Sequence, residues 1–194
     1  MNYSTEISKS LTVLSEMLQA RGKNASNLNQ LSHKEVQAIV SSRNVFSIGT
    51  ADDEILIMFD MSPKFKWADT KKIIESMSFG SKIPKPKLVI FVVKDAADVK
   101  KITDFELDYQ VFGIKELQFN KATHCLVPKH ELIESADEIS VILSDYQLRT
   151  VTQLPLILKT DPMAKYFNAR PGNVMKVTRI SPTCGENVIY RCVA

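Results

Sequence analysis

The first part of the chain opens with a stripe of aliphatic residues at helical spacing. The stripe consists of Ile7, Leu11, Leu14 and Leu18. This period predicts an amphipathic helix over residues 5–21, and Gly22 stands where helices commonly end in a left-handed residue. A second, shorter helix is expected to begin at residues 32–35, where a serine and a glutamate have the spacing of a capping box.

Shorter apolar runs with strand character follow. Strands are predicted at residues 45–48, 55–59, 88–93 and 114–119. The turn at residues 50–53 is expected to join the first two strands, and helices are predicted at residues 69–78 and 95–102. Alternation of strands and helices indicates a small α/β unit that ends near residue 120.

The last third of the chain is dense in local start and stop signals. A capping box at residues 135–138 predicts a helix that carries Ile139, Ile142, Leu143 and Tyr146 on one face. Asp161 and Pro162 pair a capping side chain with a proline that needs no backbone hydrogen bond, which predicts another helix start.

Extended segments complete this part of the chain. They are expected at residues 156–158, 174–180 and 188–193. Pro171 and Gly172 predict a turn before the last two segments. The pattern of these two segments indicates a terminal antiparallel hairpin with a long connection over residues 181–187.

Composition narrows the class of protein. With 194 residues, 44% of them hydrophobic and 24% charged, the chain can form one domain or two small ones, and it is not disordered, collagenous or disulfide-stapled. Its cysteines number only three and form no C-x-x-C pair, so we expect a reducing compartment and cysteines that act as small apolar residues. No apolar run is long enough for a membrane span, and the N-terminus lacks the pattern of a secretory signal.

Charge is unevenly distributed along the chain. The total is only +3, but residues 64–101 contain ten lysines and four acidic residues, a local net charge of +6 against −3 elsewhere. A patch facing phosphates would produce this pattern, and so would a solvated lysine-rich surface. Lysine without arginine or interleaved aromatics suits backbone contacts better than base readout.

A series of short motifs runs in order through the last 70 or so residues. The motifs are His124-Cys-Leu-Val-Pro-Lys-His130, Gln153-Leu-Pro155, Thr160-Asp-Pro-Met-Ala-Lys-Tyr166, Arg170-Pro-Gly172, Val177-Thr-Arg179, Ser181, Thr183, Gly185 and Tyr190-Arg191. Together they resemble the small RNA polymerase subunit shared by eukaryotic polymerases I, II and III, the fifth largest, which has a counterpart in the archaeal polymerase. Earlier in the chain, Ala20-Arg-Gly22, Ile57-Met-Phe59 and the run at 88–93 follow the order of the same family.

The resemblance implies an α+β protein with two domains. Residues 1–121 would form a jaw domain whose α/β fold is similar to restriction endonucleases but has lost their chemistry, and residues 122–194 would form a small α+β assembly domain. It implies a non-catalytic subunit of DNA-directed RNA polymerase that docks on the largest subunit, contacts other polymerase subunits and flanks downstream duplex DNA. Neither a cofactor, a metal, a membrane nor a homo-oligomer is expected.

The resemblance also implies two sets of contact residues. The DNA-proximal set is Lys94, Lys100 and Lys101. The partner-docking set is His130, Asp161, Pro162, Arg170, Gly172, Arg179, Gly185, Tyr190 and Arg191. The arginines suit interface ion pairs, and they equally suit cross-strand pairs on an exposed hairpin.

Alternative functions remain open from the residues alone. A free-standing nucleic-acid-binding transcription factor is one. A metal-dependent nuclease is another, because Asp69-Thr-Lys71 and Asp98-Val-Lys100 have the D-x-K pattern, although aspartate is also common at helix starts. His124 and His130 lack companion ligands and are expected to be hydrogen-bonded structural or interface residues. A cellular protein of this kind belongs in the nucleus, whereas a viral one belongs in the host cytoplasm and the virion.

Overall fold

The computed structural model of the chain describes residues 3–25, 27–28, 36, 46–49, 55–62, 67, 70–72, 86–96, 107–181 and 185–194. Two compact units make up the chain, Met1–Phe119 and Asn120–Ala194. Each unit has its own four-stranded sheet and its own helices, so the predicted α+β class is confirmed. None of the helices in the described ranges has the length and apolar character needed to cross a membrane.

The N-terminal unit begins with a helix that buries the predicted stripe. Helix α1 (Tyr3–Ala20) has Ile7, Leu14 and Leu18 fully buried. It ends as predicted at Gly22, whose φ of 72° is left-handed. The Gly22 N–H donates to the Gln19 carbonyl and the Lys23 N–H donates to the Leu18 carbonyl, both at 2.9 Å. This pair of hydrogen bonds defines a Schellman motif.

A mixed sheet follows, with neighbours in the order β1 (Phe46–Gly49), β2 (Ile55–Asp60), β3 (Leu88–Val93) and β4 (Asp108–Gly113). The first two strands are antiparallel, whereas β2, β3 and β4 are parallel. All six residues of β3 are buried, because a central parallel strand is covered on both faces. The strands predicted at 45–48, 55–59 and 88–93 are therefore confirmed.

The strand predicted at residues 114–119 is wrong. The strand in this region is β4, and Ile114–Leu117 forms a 3-10 helix. Ile114 and Leu117 are both buried because residues three apart lie on the same side of such a turn. Gln118 fastens this helix to α1, since its side-chain amide donates to the Ile114 carbonyl at 2.8 Å and to the Glu6 carbonyl at 3.2 Å.

Other predictions for this unit lie outside the described residues. They are the capping box at 32–35, the turn at 50–53 and most of the helices at 69–78 and 95–102. Residues 70–72, within the first of these helices, are helical.

The sheet of the C-terminal unit is built around the predicted hairpin. Its strand order is β5 (Lys129–Ile133), β7 (Val174–Ser181), β8 (Gly185–Val193) and β6 (Leu156–Ile157). Strands β5 and β8 each pair antiparallel with β7, and β6 pairs parallel with β8.

The hairpin connection is shorter than the predicted loop over residues 181–187. Pairing continues as far as Ser181 opposite Gly185, so that only residues 182–184 join the strands. Glu186 and Asn187 resemble loop residues because they are polar, but both lie on an exposed part of β8 where polar side chains carry no burial cost.

Two helices complete the C-terminal unit at the predicted places. Helix α2 (Ala136–Asp145) begins at Ser135, whose hydroxyl accepts the Glu138 N–H at 3.4 Å. Helix α3 (Pro162–Tyr166) begins at Asp161, whose carboxylate accepts the Met163 N–H at 2.8 Å.

The core beside α2 joins this helix to the sheet. It consists of Ile133, Ile142, Leu154, Val174 and Cys192. Cys192 is one of its small apolar residues, whereas Cys125 is exposed.

Candidate docking surface

The predicted docking residues lie at two ends of the C-terminal sheet. Strands β5 and β8 begin, and β7 ends, at one end of the sheet, which we call the hairpin end. We call the opposite end, where β8 ends at Val193, the carboxyl end. Strand β8 has nine residues. At about 3.3 Å per residue the two ends are roughly 26 Å apart. The predicted set is therefore not one compact cluster.

Strand register decides which docking residues share a face of the sheet. His130 lies opposite Val177 and Arg191 lies opposite Met175. Opposite and alternate residues of antiparallel strands point to the same side, so these two residues share a face with Arg179. Tyr190, which is next to Arg191 in β8, lies on the other face.

The carboxyl end holds Asp161, Pro162, Arg170 and Gly172. These residues form turns and caps around the end of β8. The Gly172 N–H donates to the Val193 carbonyl at 2.9 Å, with Gly172 at a φ of 90°. The Arg170 N–H donates to the Asn173 side chain at 2.7 Å. Both of these hydrogen bonds lie within the C-terminal unit.

Three further members of the predicted set contact their own unit. The His130 Nδ1 lies 2.7 Å from the Pro128 carbonyl, and since a carbonyl only accepts, this nitrogen carries the proton. The Tyr190 ring packs edge-on against Tyr146 at 5.9 Å between ring centroids. The Arg191 guanidinium donates to the Leu156 carbonyl at 3.1 Å, which attaches strand β6 to the sheet.

Arg179 differs from these residues. It is exposed near the tip of the hairpin and forms no hydrogen bond or ion pair with any part of the chain that the structure describes. The neighbouring connection, residues 182–184, contains Pro, Thr and Cys and therefore has no charge to offer.

Charged side chains on the opposite face form ion pairs with one another. Lys129 lies 2.8 Å and Lys176 lies 3.9 Å from the Glu131 carboxylate. The hydrogen bond from Lys129 is the main reason that the pKa of Glu131 is lowered, and the same bond raises the pKa of Lys129. Among the described residues, Arg179 therefore lacks the acidic partner that these lysines have.

Sequence reasoning missed two exposed aliphatic residues at the hairpin end. Leu126 is 84% exposed and Ile180 is 90% exposed. The sequence did contain a signal for the exposure of Ile180. In an alternating strand Ile180 lies on the same face as the polar residues Lys176 and Thr178, which predicts a solvent-facing position. Leu126 gave no such signal, since it lies in a turn outside any strand.

The predicted DNA-proximal residues belong to the N-terminal unit. Lys94 is exposed immediately after β3, and Lys87 is exposed immediately before it. Six residues lie between them, and the two positions are about 23 Å apart along a strand, so Lys87 and Lys94 do not share one patch. Lys100 and Lys101 lie outside the described residues.

The elements of a nuclease site are not brought together by the described residues. Asp69 and Asp98, the acidic members of the two D-x-K tripeptides, lie outside them. Within the described ranges, no group of three or more histidine, cysteine, aspartate or glutamate side chains could hold a metal ion.

Comparison with known proteins identifies the family. The family model described as RNA polymerase Rpb5, C-terminal domain, matches residues 119–193. DNA-directed RNA polymerase subunit Rpo5 of Methanococcus maripaludis is 44% identical over 72 residues, which are 37% of this chain and 90% of the relative. The subunit rpabc1 of DNA-directed RNA polymerases I, II and III from Dictyostelium discoideum is 30% identical over 148 residues, covering 73% of each chain.

A nematode relative extends the match in the same way. The RPABC1 subunit of polymerases I, II and III from Caenorhabditis elegans is 32% identical over 143 residues, which are 73% of this chain and 66% of the relative. The alignments with both eukaryotic relatives are longer than the C-terminal unit alone. The resemblance inferred from the motifs is confirmed: the chain belongs to the Rpb5 family of DNA-directed RNA polymerase subunits.

Proposed function

We propose that this non-catalytic polymerase subunit docks on the largest subunit through its C-terminal unit, while its N-terminal unit flanks downstream duplex DNA. The main support for the docking proposal is Arg179, which lies on an exposed hairpin and has no hydrogen bond or ion pair with the described residues. A guanidinium with no partner among the described residues suits the carboxylates or carbonyls of a large neighbour.

The remaining predicted docking residues have two roles in this proposal. His130 and Arg191 share the Arg179 face of the sheet and extend the contact along it. Asp161, Pro162, Arg170, Gly172, Gly185 and Tyr190 shape the turns, caps and aromatic packing that hold this face in place.

The domain assignment is part of the same proposal. We assign residues 1–121 to a jaw domain with a topology like that of restriction endonucleases and residues 122–194 to an assembly domain. The division of the chain into two compact units between residues 119 and 120 supports this assignment. A mixed sheet with three parallel strands supports the α/β character of the jaw.

Co-purification with the two large polymerase subunits tests the docking proposal. The full chain should be recovered in stoichiometric amounts, and Arg179→Glu should reduce recovery by roughly tenfold or more, as loss of an interface arginine commonly does. Arg149→Glu is the matched control, because Arg149 is exposed in the same unit but lies beyond α2. Wild-type recovery of Arg179→Glu would favour a purely cross-strand role, and a lone wild-type monomer would favour the free-standing transcription factor.

Salt dependence of DNA retention tests the role of the jaw. Reversal of Lys94, Lys100 and Lys101 to glutamate should weaken retention of downstream DNA by elongation complexes and lower its salt dependence by about one logarithmic unit of slope per lost phosphate contact. Lys87→Glu, at the other end of β3, should leave retention unchanged. An unaltered salt response in the triple variant would contradict the proposal, and magnesium-dependent DNA cleavage by the purified chain would revive the nuclease.

We also propose a nuclear location and a single copy of the chain in each polymerase. Two of the three relatives described above are eukaryotic and the third is archaeal, which supports the cellular assignment.

A further inference from the structure

We infer that the hairpin end inserts into a cleft of another polymerase subunit, with an aliphatic pocket for Ile180 and Leu126 and a carboxylate for Arg179. This inference rests on the proposed docking function and adds the chemistry of the partner. It is based on the exposure of Ile180 and Leu126, on the hydrogen bonds that hold the segments carrying them, and on the charge of Arg179.

Exposure of the two aliphatic residues exceeds that of other large apolar residues. In the described part of the chain, the next most exposed is Leu158 at 64%, against 84% for Leu126 and 90% for Ile180. Single half-exposed aliphatic residues are normal on protein surfaces. Two nearly bare ones, Ile180 in the hairpin and Leu126 in the turn before β5, offer a partner two aliphatic side chains to cover.

The turn that carries Leu126 is held by two hydrogen bonds. The Val127 N–H donates to the His124 carbonyl at 2.9 Å, and the Leu126 N–H donates to the His124 ring nitrogen Nδ1 at 3.2 Å. The turn precedes β5, whose first residue pairs with Thr178. Leu126 is therefore held in a defined conformation just before β5 begins, which lowers the entropy lost on binding.

Ile180 is fixed in the same manner by the ladder. It lies opposite Glu186, near the tip of the hairpin. Its neighbour Arg179 lies opposite Asn187 and points to the other face. All four residues are exposed, so both faces of the hairpin are bare at this end.

Exposure on both faces favours a cleft over a flat partner surface. A flat surface would cover one face and leave either Ile180 or Arg179 in solvent, whereas two walls of a cleft cover both. The charges define the walls. The face of Ile180 carries two lysines, Lys129 and Lys176, and two glutamates, Glu131 and Glu186, so it has no net charge and leaves the aliphatic side chain of Ile180 as its contact. On the other face, Arg179 has no acidic partner among the described residues and suits a carboxylate.

Affinity for the two large polymerase subunits tests this inference. Ile180→Ser and Leu126→Ser should each weaken binding by roughly ten- to a hundredfold, the usual range for a buried anchor residue. Leu158→Ser is the matched control, because Leu158 is an exposed aliphatic residue that follows β6 at the carboxyl end, and it should bind like the wild type. Unchanged thermal unfolding of all three variants would show that the loss arises at the interface.

The outcomes separate this inference from the docking proposal. If wild-type chain binds and both Ile180→Ser and Leu126→Ser bind equally well, the cleft is wrong while docking stands. If wild-type chain does not bind the large subunits at all, both fail. If wild-type chain forms dimers in analytical ultracentrifugation that Ile180→Ser abolishes, the occupant is a second copy and the inference is overturned.

Discussion

The two ends of the β7–β8 hairpin are built from the same strands but serve opposite purposes. At the carboxyl end, Val174 and Cys192 are buried against α2. At the hairpin end, Arg179 is exposed on one face of the sheet and Ile180 is exposed on the other. Both halves are paired strands, so the difference comes from what packs on them. We therefore expect substitutions at the carboxyl end to change stability and substitutions at the hairpin end to change binding.

The largest predicted effect compares two apolar residues of β7. Met175 is fully buried, so Met175→Ala should lower the free energy of unfolding by about 3 kcal/mol through lost burial and a residual cavity. Ile180→Ala should change it by less than about 0.5 kcal/mol, as exposed substitutions do. Urea unfolding of the full chain measures both. Equal losses would mean that the hairpin end also belongs to the folding core.

The next effect concerns backbone conformation at the carboxyl end. Gly172 has a φ of 90°, and a Cβ added there would meet no atom within 4 Å. The cost of Gly172→Ala is therefore conformational, about 1–2 kcal/mol. Gly185, at the hairpin end, has a φ of 68°, which asparagine tolerates, so Gly185→Asn should cost less. A neutral Gly172→Ala would show that the turn relaxes to another conformation.

A smaller effect separates two arginines that share a face. Arg191→Ala removes the bond to the Leu156 carbonyl and should cost about 1 kcal/mol of stability. Arg179→Ala removes no bond within the described chain and should leave the unfolding midpoint unchanged. Co-purification with polymerase should show the stronger loss for Arg179→Ala. The reverse order in both measurements would contradict the division between the two ends.

The smallest effect is the pH dependence of the Glu131 ion pairs. The pKa of Glu131 is lowered from 4.5 in the folded chain, so its contribution is present above that value and is lost as the pH falls through the lower folded pKa. Glu131→Gln should therefore be slightly less stable than wild type near neutral pH, and the difference should disappear in acid. Exposure of this pair makes the effect smaller than that of Arg191→Ala. A difference that persisted in acid would point to packing rather than charge.

Local signals predicted most of the described elements. The stripe of α1, the apolar run of β3 and the proline start of α3 depend on neighbouring residues, and each is found where expected. The strand predicted at residues 114–119 is wrong because Ile114 and Leu117 fit a helical turn as well as a strand. The long hairpin connection is wrong because polar residues in an exposed strand resemble a loop.

The docking surface could be predicted only as a set of residues. The motifs include Arg179 and Arg191, but nothing in their spacing showed that Arg191 bonds a carbonyl 35 residues away while Arg179 has no partner among the described residues. Exposure of Leu126 likewise depends on how its turn meets the sheet.

By itself, the sequence determined the family, the α+β class and the positions of the strongly periodic elements, because these depend on residues close together in the chain. The tertiary structure alone decided which face and which end of the sheet each docking residue occupies. Strand register and the placement of α2 join residues far apart in the chain, so no local pattern could reveal that one hairpin has a buried end and a bare one.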